Sequence, residues 1–563
     1  MVPILTILFN KIKQSGEFPI EWRKSIIIPV FKKGDHCDVN NYRGISLMSH
    51  AAKLFTSLIN KRLMEFSSEY EVITEAQFGF KAQSGTRDAI FALHGIISET
   101  LRKKKKLYCC FIDYSKAFDC VNRYHLWRKM VKQGIRGKLL GVIKSLYTDF
   151  KAYVRNNGDI SKLFDVDSGL IQGEALSPLM YSLYVNDFEL FLSENSCNRI
   201  ELGSLNLYLL MYADDTVLFA ESASELQNLL NKLEGYSKSW NLSVNATKTK
   251  IVVFRNGGKM KTNECWIYDN HQIEIVDNFN YLGVVFNYNG KFNSTQEIVA
   301  DQGRKAIFGL KNSCKDVSLN VETELYMFDT YVMPILNYGC ETWGFHKAPN
   351  IDKVFTQFCK HLLGVNRKAI NAAVFNELGV LPMKYRRYMV IIKYWLNLLK
   401  TNNCILKEIY MNMVMTCNEC TNWATNVKTL LETNGFYYVW ESQNVLNESL
   451  FLKEFSTRLK DNFLQEIRGI IDKSSKCYIY KFLTDNFTLQ YYLTKNISME
   501  KRKNISRIRL SAHPLKVEKG RYQNIPKKER VCTHCNVIED EYHFILTCPL
   551  YSDLRNKFIK KYY

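Results

Sequence analysis

The sequence predicts an α+β fold that gives way to a helical region and then a small basic tail, and three observations predict it. Residues 1–290 interleave β-rich runs ("SIIIPVF", "LYCCFIDY", "LYLLMYADDTVLFA", "KIVVF") with amphipathic helical stretches, the pattern of strands and helices sharing one core. From 291 to 510 the strand signals fade, and apolar and aromatic residues recur at helical spacing, as in "MVIIKYWLNLLK" and "FLKEFSTRLKDNFLQEIRGIID". The last stretch, 511–563, leads into a cluster of cysteine and histidine.

Composition narrows the class before any motif is read. A chain of 563 residues has material for two to four domains. With 46% hydrophobic and 13% aromatic residues it is not a disordered chain. No run approaches the roughly 18 uninterrupted apolar residues of a membrane helix, so no membrane span is expected. The opening "MVPILTILFNKIKQ" lacks a basic leader and a small-residue cleavage site, which argues against secretion. The sixteen cysteines therefore read as reduced thiols or metal ligands, in cytoplasm or nucleus. Lys and Arg exceed Asp and Glu by 76 to 56, a net +20, which favours a polyanionic partner such as nucleic acid through counterion release.

Two helix starts can be placed from local signals. "SASEL" supplies a capping box, Ser222 with Glu225, and Leu226, Leu229, Leu230 and Leu233 follow on one helical face. In "GLIQGEALSPLMYSLYVNDF", Ser177 can cap a helix and Pro178 can occupy its first turn. Gln172 and Gly173 are then left on the loop feeding a helix N-terminus, which suits a phosphate-bearing ligand.

The acidic run "LYLLMYADDTVLFA" is anomalous because a buried unpaired carboxylate costs several kcal/mol. Read as strand, turn, strand, it places Asp214 and Asp215 at a hairpin tip. A second apolar strand, in "YCCFIDYSKAFD", ends in Asp113, and a neighbouring placement would gather three carboxylates. Such hard oxygen ligands suit magnesium. Two ions roughly 3.5–4 Å apart can activate a primer 3′-hydroxyl and stabilise the pyrophosphate leaving group, which is polymerase chemistry.

In order and spacing these motifs resemble those of reverse transcriptases, and especially of non-LTR (LINE-type, jockey-like) retrotransposons. "IIPVFKKGDHCDVNNYRGISL" and "EAQFGFKAQSGTRDAI" are similar to the family's fingers, and "FIDYSKAFDCVNR" to its first catalytic palm motif. "GLIQGEALSPLMYSLYVNDF" resembles the nucleotide-pocket motif, "MYADD" the second catalytic motif, and "NLSVNATKTKIVVF" with "NFNYLGVVF" the last palm elements. The resemblance implies a right-hand polymerase: fingers and a palm with an antiparallel sheet over 1–290, a thumb over 291–350 that includes "LYMFDTYVMPILNYGCETWG", and a helical region over 351–510. It implies RNA-directed DNA synthesis, with template RNA, primer DNA and deoxynucleotides as partners.

Carried over residue by residue, the likeness makes Asp113, Asp214 and Asp215 the ligands of two magnesium ions. Phe118 matches the aromatic gate against a ribose 2′-hydroxyl, with simple core packing as the alternative. Gln172 and Gly173 match the nucleotide pocket, and Arg43 with Lys32 or Lys33 the cations on the triphosphate. Lys248 matches a proposed acid for pyrophosphate, the alternative being a solvated surface charge. Tyr212 and the turn Tyr281-Leu282-Gly283 match primer contacts. Asp119 reads as a helix-start acid, and "RKKKK" at 102–106 as an exposed loop touching phosphate. Gly44 stands where the family usually has proline, a loss of stiffness in the fingers.

The tail carries Cys532, Cys535, His543 and Cys548 in a C-x2-C-x7-H-x4-C pattern, which can complete a closed, structural zinc site and resembles the terminal CCHC element of the same family. Residues 500–530 carry eleven Lys or Arg against three Glu, the makings of a clamp on template RNA or target DNA. Met1 lies just upstream of the fingers-like segment and 15 residues follow Cys548. The expectation is an N-terminally truncated element protein without an endonuclease, whose nicking activity comes from elsewhere. A catalytically silent nucleic-acid-binding remnant and a group II intron maturase stand as alternatives.

Overall fold

The computed structural model describes all residues except 1, 196, 259–263, 318, 477, 478, 484, 485, 496 and 559–563. The chain forms two compact units, Met1–Lys291 with Thr401–Asn422, and Phe292–Lys400 with Trp423–Tyr563.

In the first unit the central strand is Leu107–Ile112, all six residues of which are buried. Its unbroken apolar run follows from this placement, because a strand covered on both faces has no solvent side on which to alternate. It lies between Asp215–Ala220 and Lys250–Phe254, both antiparallel to it, and Leu209–Tyr212 continues the sheet beyond Asp215–Ala220. The far edge departs from the antiparallel sheet that was expected: Glu274–Ile275 pairs in parallel with Lys250–Phe254. Helices Thr86–Arg102 and Ala223–Ser239 pack on these strands. The second begins at the Ser222–Glu225 capping box, with Leu226, Leu229, Leu230 and Leu233 buried.

A second sheet of the same unit is built on Lys24–Phe31. Tyr42–Leu47 pairs antiparallel on one side, and Lys151–Asn156 pairs in parallel on the other. Gly44 sits in register with Pro29, so the strand forms without the stiffness a proline would add.

The segment 401–422, which the sequence reading assigns to the helical region 351–510, packs instead in the first unit. The reason is a close approach at Gly95 on helix Thr86–Arg102. A Cβ there would stand 2.3 Å from Ile409 Cγ2 and 3.2 Å from Met413 Cε. Asn403 Nδ2 also donates to the Glu75 carbonyl at 3.0 Å.

The second unit contains no strand among its described residues between 292 and 509. Its core includes Trp343 and Trp395, with Arg387 buried beside them and paired to Asp352 at 3.1 Å. The fully buried Glu377 receives Arg509 at 2.6 Å; removing one partner of such a pair would strand a charge in a dry core. This changes the reading of the basic tail. Arg502 and Arg509 turn inward to Glu324 and Glu377, Arg521 pairs with Glu518, and Arg530 donates to the carbonyls of Ile525 and Val517. Lys501, Lys519, Lys527 and Lys528 remain exposed.

Gly95→Val is expected to destabilise the first unit by about 1–3 kcal/mol through overpacking, read as a lower denaturant midpoint, and Ile409→Ala in the same chain should recover part of that loss. An unchanged midpoint would mean that the 401–422 segment does not seat there.

Candidate active site

Register brings the three acids together. Thr216 lies opposite Ile112 in the antiparallel pair, so one step further along Asp215 faces Asp113 at the same end of the sheet. Asp215 in turn pairs with Tyr212 across the hairpin, leaving Ala213 and Asp214 as a two-residue turn. Ala213 has φ 59° while Asp214 does not share the left-handed region. The turn therefore has a left-handed residue only at its first central position, where glycine is preferred. An alanine there costs about 1–2 kcal/mol, and a neighbouring segment offsets the cost.

That segment, 74–80, overlaps the fingers-like "EAQFGFKAQSGTRDAI", but the roles of Gln77 and Gly79 within it were not read from the sequence. Gln77 is 1% exposed, and its side-chain Oε1 accepts from Ala213 N at 3.0 Å and from Gly79 N at 2.8 Å. Phe78 N donates to the Met211 carbonyl at 2.8 Å, and Met211 N to the Ala76 carbonyl at 2.8 Å. Gly79 must lack a side chain, since a Cβ would stand 2.3 Å from Ala213 N and 2.9 Å from Tyr212 C. The signal available was a Gln and two glycine-flanked aromatics in "AQFGF", whose meaning depends on the hairpin they face.

Electrostatics at the tip are those of crowded like charges. Burial pushes the Asp215 carboxyl up, with the Asp214 and Asp113 charges adding, to about 6; protein mass surrounds the group although part of the residue stays open to solvent. Asp113 is also raised, by burial and by Asp214, against the lowering charges of Lys248, Lys32 and Lys33. Lys248 Nζ lies 3.9 Å from Asp113 Oδ2. Of the lysines acting on Asp113, Lys248 comes within ion-pair distance, and the oxygen donors of the three carboxylates fit hard divalent cations.

Asp113 and Asp214 open onto a cleft of about 600 Å³ whose lining includes Lys32, Arg43, Phe118, Gln172, Gly173 and Lys248. Lys33 is exposed outside that lining, so of the two lysines Lys32 is the one in the cleft. Phe118 packs, its ring stacking on Tyr181 at 4.9 Å between centroids, and it also lines the cleft. Gly173, at φ 99°, lies against the Ser46 carbonyl and Ile45, while Ser46 N donates to the Gln172 carbonyl at 2.7 Å. This ties the pocket loop to strand Tyr42–Leu47.

Three expectations are corrected here. Ser177 does not cap its helix. Glu174 accepts from Leu176 N at 2.7 Å and Ser177 N at 3.1 Å, and the Ser177 hydroxyl donates to the Ile171 carbonyl. Burial raises the Glu174 carboxyl, against the lowering hydrogen bonds it accepts from Thr56 and these backbone groups. Asp119 begins no helix and instead accepts from Gln172 Nε2 at 2.8 Å. Tyr281 is 2% exposed and packs on Phe111 at 5.9 Å, so any primer contact at that turn falls to Leu282 and Gly283, both in the left-handed region. Tyr212 ends its strand half-buried next to the acids.

Residues 30–286 match the family model described as reverse transcriptase (RNA-dependent DNA polymerase). Over these residues the chain is similar to a reverse transcriptase domain. Among curated proteins, the chain is similar to the RNA-directed DNA polymerase from mobile element jockey of Drosophila melanogaster, 25% identical over 362 residues, and of Drosophila funebris, 27% over 365. Each alignment covers 62% of this chain and 38% of the relative. A Pol polyprotein of the retrotransposable element R2 from Nasonia vitripennis is 25% identical over 312 residues, covering 54% of this chain and 30% of its own. The chain thus aligns with well under half the length of these non-LTR relatives. Among solved structures, telomerase from Candida albicans with a fragment of telomeric RNA is similar at TM-score 0.39 and 13% identity, over 78% of this chain and 70% of that one, a likeness too loose to argue from.

A separate cluster lies in the second unit. One ligand atom from each of Cys532, Cys535, His543 and Cys548 falls within 4.8 Å of the others. The Cys535 and Cys548 sulfurs are 3.6 Å apart, close to the roughly 3.8 Å that two thiolates keep around one tetrahedral zinc. His543 Nδ1 is engaged with the Thr547 hydroxyl at 3.1 Å, and its buried Nε2 has no hydrogen-bond partner. An oriented ring with one orphaned nitrogen is the usual state of a metal-ligating histidine. Backbone N–H groups of His534 and Cys535, and then His543, hold the Cys532 thiol low.

Gly79→Ala is expected to displace the Ala213–Asp214 turn and cut primer extension about 100-fold or more, with the far-ultraviolet circular dichroism of the chain unchanged. Undiminished extension would show that the hairpin is positioned otherwise.

Proposed function

We propose that this chain is an RNA-directed DNA polymerase of a non-LTR retrotransposon, extending a primer 3′-hydroxyl with deoxynucleotides on an RNA template. The observation that carries the reading is the convergence of Asp113 and the Asp214–Asp215 hairpin at one end of the palm sheet, open to a cleft with cations on its wall. In the reaction, the primer 3′-oxygen attacks the α-phosphorus of the incoming nucleotide and the bond to pyrophosphate breaks. Two magnesium ions held by Asp113, Asp214 and Asp215 would supply activation of the 3′-hydroxyl and neutralisation of the leaving group.

The chain's own residues do the rest. Lys32, just past the first strand of the fingers hairpin, and Arg43, on the second strand and the same face, bind the triphosphate. Phe118 holds its ring where a 2′-hydroxyl would stand, backed by Tyr181. Lys248, beside Asp113, gives a proton to the departing pyrophosphate. Tyr212, with Leu282 and Gly283, supports the primer end. The Cys532, Cys535, His543, Cys548 set binds one structural zinc, and the exposed Lys501, Lys519, Lys527 and Lys528 contact phosphates of template or target, with sequence-independent affinity.

Asp215→Asn in the purified chain should lower primer extension on an RNA template by at least about 1,000-fold, with primer–template binding retained. Sustained extension by that variant would contradict the reading. Independently, elemental analysis should find one zinc per chain, and His543→Ala should remove it and lower the melting temperature of the second unit. A chain with no zinc and full stability would exclude the structural metal.

A further inference from the structure

We infer that Asp119 is a positioning residue for nucleotide selection, fixing the orientation of the Gln172 amide in the cleft. The inference deepens the polymerase reading and rests on it.

Gln172 is held from two sides. Its main-chain carbonyl accepts from Ser46 N at 2.7 Å, which anchors the backbone, and its side-chain Nε2 donates to Asp119 Oδ1 at 2.8 Å. That side-chain bond is the outermost of a series joining the two loops. Leu170 N donates to the Phe118 carbonyl at 2.8 Å and Gly169 N to the Val121 carbonyl at 3.1 Å. Arg123 Nε donates to the Gly169 carbonyl at 2.9 Å. A Cβ on Gly169 would stand 2.8 Å from Asp119 Cα, so the loops are in direct contact. Asp119 therefore has a fixed base from which to hold its neighbour.

The chemistry of the pair removes a freedom that a lone glutamine would have. A glutamine amide carries an acceptor at one end and two donors at the other, and can present either. A carboxylate offers only acceptors, so the amide must turn its NH2 toward Asp119. Its Oε1 and one N–H are then left for the cleft. Both residues line that cleft beside Phe118, the ring assigned to the sugar, and a deoxynucleotide sugar has one hydroxyl, at the 3′ position. An acceptor held there takes the hydrogen bond from that hydroxyl. Asp119 touches no substrate; it determines which end of Gln172 does.

The test is a double-mutant cycle on the full chain, measuring single-nucleotide incorporation of dTTP and of 2′,3′-dideoxy-TTP on an RNA template. Asp119→Ala and Gln172→Ala are each expected to raise KM for dTTP about 3–10-fold, the weight of one hydrogen bond, with kcat falling by less. KM for the dideoxynucleotide should not move, and the double variant should equal either single one. Asp119→Asn, which keeps an oxygen acceptor, should recover part of the loss. Additive effects of the two substitutions, or equal shifts for dTTP and its dideoxy analogue, would overturn the inference by reducing Asp119 to a loop scaffold. A parent chain that extends no primer would overturn the proposed function itself, and the inference with it.

Discussion

The structure depends on one electrostatic conflict: three carboxylates are brought to the same end of a sheet by backbone register. Strand Leu107–Ile112 is fully buried and flanked by strands on both sides, so a one-residue slip would draw a charged neighbour, Lys106 or Asp113, into the dry sheet. Asp113 is therefore delivered to a fixed place. Because Thr216 is locked opposite Ile112, so is Asp215, and the hairpin turn adds Asp214. Packing energy from the apolar strands holds like charges together that would separate if free to do so. Burial first, and the neighbouring carboxylates after it, raise the Asp113 and Asp215 carboxyls, and a bound cation would offset both.

The surroundings restrain the acids more than they neutralise them. Gln77 accepts the N–H of the left-handed Ala213, and Gly79 leaves room for the hairpin backbone. On the other strand, Asn245 N donates to the Asp113 carbonyl at 2.8 Å and Asp113 N to the Thr249 hydroxyl at 3.2 Å. These bonds fix main chain while leaving the Asp113 and Asp214 carboxylates open to the cleft. A preorganised arrangement of this kind needs little rearrangement when charge develops in a reaction.

Much of this was legible in the sequence wherever a signal was local. Continuous apolar runs broken by "YADD" and ended by "FID" marked the strands and their acids, and Ser222 with Glu225 marked a helix start that the structure contains. What could not be read depended on contacts between distant residues. Glu174 displaces Ser177 as the cap because its buried carboxyl takes the N–H groups of Leu176 and Ser177, while the Ser177 hydroxyl turns to the Ile171 carbonyl. Tyr281 is drawn into the core by Phe111, 170 positions earlier. The 401–422 segment leaves its helical neighbours because Gly95 opens a seat for Ile409. Two arginines of the basic tail turn inward because a fully buried acid at 377 and a half-buried one at 324 lie nearby; charge counting alone treats every cation as solvated.

The central claim is that the convergence of Asp113, Asp214 and Asp215 is a divalent-cation site. Its most direct measurement is a Mn2+ titration of the purified chain by electron paramagnetic resonance, in the presence of primer–template and a non-hydrolysable deoxynucleotide. The account predicts two bound ions per chain, both lost or weakened at least tenfold in Asp113→Asn. Stoichiometry below one, or binding indifferent to that substitution, would contradict it.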